Sequence, residues 1–565
     1  MNWKKTFNTN QFIRRKIWRN MGDINGVKIN LEHNKLIFTS GVTVKKMQKS
    51  FSSGVTFEQS YVRNWDQCDF FKDKIVSESI DLLKNIPNLE SPLRPYYEDH
   101  AYALSPNGKW VAFLTRPNTK YQAIKSTVEL YLVATDGKSE PILISEKDKG
   151  LITSPKFSPN GNYLAWVQMD SDINTADKTK IVYYNLETKK TQIIAKNWDA
   201  HFEVITFSND GDCLYLTIPD NGYDKLFELN IKTEEYKAIV KTGGTSLLKE
   251  LKDELIVVRH SSKHPQELYS VKKDGNDLKL LSNINIEYLQ QFQLNSYEPF
   301  YFTGALNQTV QGFIIKPPNF DSTKKYPVIY WSHGGPENPF NDNWSNRWNY
   351  QIPVNAGYVL VSINFHGSYG WGHKFINSVI SNWGTLPVED TLKGLDYVLK
   401  EHKYLDATKV IAWGGSYGGY MMNMLNGRTN LFKAIVSHAG IFDLTHLYHT
   451  IDVQHFMTAE LGGDIWDTKV KSIALRDSPS SYIQKWKTPM LVIHGGKDYQ
   501  VPESEGIATY NALLRRKIPA KFLYFPNESH HVLRNANSLK WMNECLNWSA
   551  KWINYTTPYP VPIDN

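Results

Sequence analysis

Ser416 stands in the run "IAWGGSYGGYMM" at 411–422, with a glycine pair on each side of the Ser416-Tyr417 step. A serine hydroxyl is a poor nucleophile at neutral pH, so chemistry here needs a base to take its proton and an acid to orient that base. Gly414, Ser416 and Gly418 form a G-x-S-x-G pattern, which suits a sharp strand-to-helix turn. Such a turn exposes the serine oxygen and aims a helix N-terminus at developing negative charge. An ordinary glycine-rich loop yields the same letters, so the surroundings decide. On a sheet of parallel strands the partners should follow in the order serine, acid, histidine, each beyond a later strand end. Asp498 lies just past "PMLVIHGG" (489–496) and His530 just past "AKFLYFPN" (520–527). His531 adjoins His530, and spacing does not separate the two as the base. His494 reads as a packing residue at a strand end. Asp443, Asp452, Asp464 and Glu503 read as loop or helix surface acids. Acyl transfer also needs donors for a tetrahedral oxyanion. The backbone N–H of Tyr417, next after the serine, is one, and the glycines of "SHGGP" (332–336) open the backbone for another.

These residues need a scaffold, and the chain from about residue 296 supplies its pattern. Apolar, β-rich runs at 327–335, 358–365, 409–416, 433–440, 489–496 and 520–527 alternate with helical periodicity at 388–401, 417–427, 503–516 and 537–553. This alternation predicts a mostly parallel sheet covered on both faces, with polar groups at its C-terminal strand ends. The earlier half has another grammar. "LSPNGKWVAFLT" (104–115), "FSPNGNYLAWVQ" (157–168) and "FSNDGDCLYLTI" (207–218) repeat a turn followed by a strand, and each is succeeded by further strands and turns. A unit of four short strands recurring at this spacing predicts the blades of a β-propeller, with an open β-solenoid or a sandwich as the alternative. A weaker earlier unit includes "NKLIFTS" at 34–40. The expected organisation is a basic N-terminal segment at 1–24, a β-propeller at 25–295 and the α/β domain at 296–565.

A chain of 565 residues with 41% hydrophobic and 13% aromatic content has ample material for two folded domains. The 64 basic and 57 acidic residues are interspersed and leave a formal charge of +7, with no concentrated basic stripe, which argues against nucleic-acid binding. Cys68, Cys213 and Cys545 are too few and too scattered for a disulfide framework or a zinc site. No apolar stretch is long enough to span a membrane. The first 22 residues are basic, carrying Lys4, Lys5, Arg14, Arg15, Lys16 and Arg19, and lack the apolar centre of a secretory signal. Cytoplasmic placement is therefore expected, with secretion or an organelle as the alternative.

The segments "GGSYGGYMMN", "SHGGP", "NFHGSYGWG", "VIHGGKDYQVP" and "FPNESHHVLRNANSLKWMNECLNW" resemble the prolyl oligopeptidase family of serine peptidases, within it the dipeptidyl-peptidase and acylaminoacyl-peptidase-like branch. "SYVRNWD" at 60–66 resembles that branch as well. The resemblance implies a β-propeller joined to an α/β-hydrolase, with the propeller filtering oligopeptide substrates. It implies Ser416 as nucleophile, Asp498 as orienting acid and His530, rather than His531, as base. It also implies Gly334 N–H and Tyr417 N–H as oxyanion donors, with His333, Gln500 and Val501 bordering the substrate. No metal or organic cofactor is implied, and a homodimer is the assembly to test for. The expected activity is release of N-terminal dipeptides through an acyl-enzyme. An acylaminoacyl peptidase or esterase on the same residues, and an inactive interaction protein, are the alternatives. Three departures stand out: His366 replaces the usual arginine, Gln500 replaces another arginine, and the β half is shorter than the resemblance implies, the missing length falling before "SYVRNWD".

Overall fold

A computed structural model of the chain describes residues 101–116, 124–174 and 176–556, together with Leu82 and the backbone of the strands Ile24–Asn30 and Lys35–Ser40. The basic segment at 1–22, "SYVRNWD" and Cys68 lie outside the described residues. The chain divides into two compact units, one of Met1–Asp172, Lys180–Lys196 and Glu203–Cys213, the other of Ile173–Thr179, Asn197–Phe202 and Leu214–Asn565.

The first unit contains the first two sequence repeats and the turn of the third. Two four-stranded antiparallel sheets follow one another, the first built from Tyr102–Leu104, Trp110–Thr115, Glu129–Ala134 and Ile142–Leu143. The second is built from Leu151–Phe157, Tyr163–Met169, Lys180–Asn185 and Thr191–Ile194. Each repeat letter has a physical task. Ser105, Ser158 and Ser208 donate to Asn107, Asn160 and Asp210 at 2.8, 2.7 and 2.6 Å. The same three hydroxyls accept the N–H of Trp110, Tyr163 and Cys213, where the next strand begins, at 2.9, 3.0 and 2.9 Å. Gly108, Gly161 and Gly211 complete the turns at φ of 65°, 72° and 83°, which a side chain would disfavour.

The second unit begins at Leu214 within the strand Cys213–Asp220 and runs through further strands to Lys279–Leu280, among which Tyr223–Asn230 and Gly244–Glu250 pair in parallel, before continuing into the α/β domain. This division therefore falls inside the β-rich half. Polar contacts join residues 214–295 to the α/β domain: Gln311 Nε2 donates to Asn221 O at 3.0 Å, Asp342 N to Gly222 O at 2.8 Å and Gln351 Nε2 to Ser262 O at 2.9 Å.

The α/β domain is an eight-stranded sheet of β1 (Glu298–Thr303), β2 (Thr309–Ile315), β3 (Tyr326–Ser332), β4 (Val359–Asn364), β5 (Leu405–Gly415), β6 (Ala434–His438), β7 (Met490–Gly495) and β8 (Ala520–Phe525). Its order is β1-β2-β4-β3-β5-β6-β7-β8, antiparallel through β1, β2 and β4 and parallel thereafter. The antiparallel pair β1 and β2 was not among the strands expected from sequence. In the central strands both faces are covered, so the period-2 alternation sorts apolar residues between two cores rather than between core and water. Val328 and Tyr330 pack with α1 (Leu386–Glu401) and α2 (Tyr417–Asn426) on one face. Ile329 and Trp331 pack with α5 (Asn535–Ile553) on the other, while α3 (Gln454–Leu461) and α4 (Glu503–Arg515) also join the first face. The register pairs Ser332 with Gly414, Gly415 with His438 and Gly495 with Phe525. The C-terminal ends of five strands therefore meet along one edge of the sheet.

Candidate active site

Ser416 occupies the single residue between β5 and α2, at φ 59° and ψ −124°. A non-glycine residue at positive φ costs on the order of 1–3 kcal/mol and persists only where its surroundings over-determine it. Here the turn is held by packing too close for side chains. A Cβ on Gly414 would lie 2.2 Å from Gly418 O, and one on Gly418 would lie 2.5 Å from Ser332 O. The Ser416 N–H donates to His438 O at 2.9 Å, which pins the turn to β6. The Ser416 side chain remains partly exposed. Tyr417 opens α2, so its N–H belongs to the first helical turn, where donors have no intrahelical acceptor.

Asp498 and His530 are brought together by the loops after β7 and β8. His530 Nδ1 lies 2.7 Å from Asp498 Oδ2, with Asp498 fully buried and His530 nearly so. The other carboxylate oxygen, Oδ1, accepts the N–H of Gln500 at 3.1 Å and of Val501 at 2.9 Å. The aspartate is thereby fixed by the turn that carries it, and the Nδ1–H···Oδ2 bond leaves the His530 Nε2 lone pair available as a base. Close approach of the two loops requires Gly495, where a Cβ would lie 2.3 Å from Ser529 O. His531 points elsewhere. Its Nδ1 accepts from Arg347 Nη1 at 2.5 Å, and burial together with the Arg347 charge pushes its imidazole down to about 4. His494 is buried and donates through Nε2 to Val501 O at 2.8 Å.

On the opposite side of Ser416, Gly334 follows β3 so closely that a Cβ there would lie 3.5 Å from Ser416 Cβ. Its neighbour His333 is turned under the loop, stacked on Phe365 with ring centroids 4.0 Å apart. His333 Nδ1 donates to Gly334 O at 2.8 Å, and Nε2 lies 3.0 Å from Ser368 Oγ, whose hydroxyl also reaches Phe365 O at 2.7 Å. Burial pushes this imidazole down to about 4, so it is neutral and serves to hold the glycine loop. Gln500 is exposed, whereas Val501 is buried in the domain core. Among the acids read as surface groups, Asp443 caps a helix by accepting from Thr445 N at 2.8 Å, but Asp452 is buried at 8% exposure.

Several residues at this edge carried no sequence signal. His438 ends β6, accepts from Trp541 Nε1 at its Nδ1 (3.2 Å) and donates from Nε2 to His530 O (3.1 Å). Burial, then the Arg347 and His530 charges, hold it well below the usual histidine range. Its position after the serine-bearing strand was the one available clue. Glu337, just beyond "SHGGP", and Glu460 in α3 are buried and share a hydrogen bond, while Trp383 Nε1 donates to Glu460 Oε2 at 2.6 Å. Burial raises Glu337 to about 7, and burial together with the Glu337 charge raises Glu460 well above the carboxylate range.

The arrangement places a serine at positive φ, an imidazole held by a carboxylate and glycine-lined backbone along one sheet edge, which is the set of groups that serine deprotonation and oxyanion stabilisation require. The chain is similar to several known proteins. Residues 344–556 match the model of the prolyl oligopeptidase family. The dipeptidyl-peptidase 5 of Aspergillus fumigatus is 33% identical over 91% of this chain and 76% of its own. That of Schizosaccharomyces pombe is 29% identical over 96% of this chain and 81% of its own. Among solved structures, the acylaminoacyl peptidase of Pyrococcus horikoshii aligns with a TM-score of 0.68 at 21% identity, covering 81% of this chain and 72% of that one.

Proposed function

The chain belongs to the prolyl oligopeptidase family and is a serine peptidase, and from that premise we propose that it releases dipeptides from the free N-terminus of short peptides. The observation that carries the assignment of roles is the 2.7 Å bond between His530 Nδ1 and Asp498 Oδ2, on the sheet edge where Ser416 is raised at positive φ. In this reading Ser416 Oγ attacks the scissile carbonyl carbon while His530 Nε2 takes its proton. Asp498 fixes the tautomer and stabilises the imidazolium. The N–H groups of Gly334 and Tyr417 receive the oxyanion. Collapse of the tetrahedral intermediate breaks the C–N bond, and His530 returns the proton to the leaving amine. Water, deprotonated by the same imidazole, then hydrolyses the dipeptidyl ester. His333 acts in this scheme by shaping the Gly334 loop and Gln500 borders the substrate, whereas Val501, buried in the core, holds the Asp498 carboxylate through its N–H instead of lining the pocket.

We further assign residues 25–295 to a β-propeller, supported by the successive four-stranded antiparallel sheets and their repeated Ser-Asx-Gly turns. The dipeptidyl register is supported by the names of the relatives that are about one-third identical over most of the chain.

Two measurements test this. A fluorophosphonate should label Ser416, and Ser416→Ala should abolish both labelling and turnover. Free and N-acetylated versions of one peptide should then differ, with only the free form yielding a dipeptide; hydrolysis of the blocked form alone would refute the dipeptidyl register.

A further inference from the structure

Arg347 lies between β3 and β4 and is bound to both sides of the candidate active site. Its guanidinium stacks on Trp348, 4.0 Å from the ring centroid. Trp348 in turn lies against Gly415, the residue before Ser416, where a Cβ would meet the indole at 2.4 Å. On the other side, Arg347 Nη1 donates to the ring of His531, the residue after His530, at 2.5 Å. The side chain is half-buried, and burial lowers its pKa to about 10, so it keeps its charge at neutral pH. Among the described residues no carboxylate forms an ion pair with it, although other half-buried cations of the unit, such as Lys225 and Lys316, each have one.

A half-buried guanidinium whose side-chain hydrogen-bond partner, among the described residues, is a neutral imidazole retains donors for an anion. Its place indicates which anion. His530 hands its proton to the leaving amine, so the leaving part of a peptide must lie along the His530 side of Ser416. That is where Arg347 and His531 stand. We infer that Arg347 binds the free carboxylate of a short leaving group, which makes tri- and tetrapeptides with unblocked C-termini the favoured substrates. The carboxylate supplies a directly paired counter-charge, where the described residues offer only the more distant charge of Asp498, and the planar fork matches its two oxygens. The proposal rests on the peptidase reading above.

The test compares trialanine with its C-terminal amide, using alanyl-alanyl-p-nitroanilide, which has no leaving-group carboxylate, for normalisation. Wild-type enzyme should favour the free acid over the amide by about tenfold or more in kcat/KM, the range of one charge-assisted hydrogen bond. Arg347→Gln should bring the acid-to-amide ratio to about 1, and Arg347→Lys should retain part of it, because a point charge replaces the fork. Equal wild-type treatment of acid and amide would overturn the proposal. So would an Arg347→Gln variant that lost activity on all three substrates in the same proportion, since that marks a positioning role only. If only N-acetylated peptides are cleaved, the dipeptidyl register fails, and the acid-to-amide ratio measured on the acetylated pair still decides the role of Arg347.

Discussion

His438 donates through Nε2 to the backbone carbonyl of His530 at 3.1 Å, and its own carbonyl accepts the Ser416 N–H at 2.9 Å. One residue of β6 thus holds the backbone of both the serine and the histidine of the candidate active site. The Trp541 indole N–H, donating to its Nδ1 at 3.2 Å, selects the tautomer that can do this. Burial keeps the ring neutral, so the link survives across the pH range where the enzyme would work.

His438→Ala removes the side-chain half of this link and leaves the Trp541 and His530 groups unpaired. A misplacement of about 1 Å at a reacting centre costs up to about 100-fold in rate. We expect kcat to fall by about 10- to 100-fold with KM changed less than about threefold, and Trp541→Phe to produce a smaller loss of the same kind. Steady-state kinetics on a dipeptidyl arylamide, beside a melting curve for each variant, separates this from simple unfolding.

The carboxyls of Glu337 and Glu460 set a pH dependence of stability. Glu337 is raised from 4.5 to about 7 and Glu460 is raised further, both first by burial. The folded chain therefore keeps protons that the unfolded chain releases above about pH 4.5. Stability from this pair is fully present at acid pH and is lost as pH rises through 7. The depressed histidines His333, His438 and His531 are neutral in the folded state and bind protons only when unfolded, near pH 6.5, so they add an opposing rise in stability that is complete by about pH 8 and is common to wild type and variant. Glu460→Gln, which retains an oxygen for Trp383 Nε1, should flatten the decline in Tm between pH 6.5 and 9. An unchanged slope would refute this account.

The pair His366 and Asp390 gives a prediction about packing. Both are fully buried, and Asp390 accepts from His366 N at 2.7 Å, His366 Nδ1 at 2.6 Å and Ala305 N at 2.7 Å. Asp390→Ala orphans three donors and should cost about 3–5 kcal/mol. Asp390→Asn keeps an acceptor and should cost less. Thermal unfolding should rank wild type above Asp390→Asn and Asp390→Ala lowest.

The legible part of the fold followed from local pattern. The six runs assigned to the α/β sheet fall on β3 to β8, though β5 begins four residues before its run, because strands buried on both faces leave unbroken apolar letters. β1 and β2 were missed for the opposite reason: β1 alternates exposed and buried residues, which reads like the strands of the preceding half. Asp498 and His530 could be nominated because strand order and chain order coincide from β6 to β8. His438, Arg347 and Trp541 converge from three separate parts of the chain, and no spacing encodes that meeting. Asp452 was read as a surface acid because nothing beside it in sequence signals that its loop is covered.

Gly418→Ala asks whether the serine turn can tolerate one methyl group. In α2 alanine is ordinarily the better helix former by about 1 kcal/mol, so propensity alone predicts stabilisation. Packing predicts the reverse. The added Cβ would lie 2.5 Å from Ser332 O and 2.8 Å from His333 O, and both are backbone atoms of β3 and the loop that presents Gly334. Neither can swing away as a flexible side chain could, so α2 and β3 must separate, and overpacking of this kind costs about 1–3 kcal/mol. The separation also moves Gly334 away from Ser416, whose Cβ stands 3.5 Å from the position a Gly334 side chain would take. Gly418→Ala should therefore lower Tm and reduce kcat, and it should slow fluorophosphonate labelling of Ser416. A variant that melted higher while keeping full activity would show that β3 yields at this contact, and would remove the steric reason for glycine in the turn.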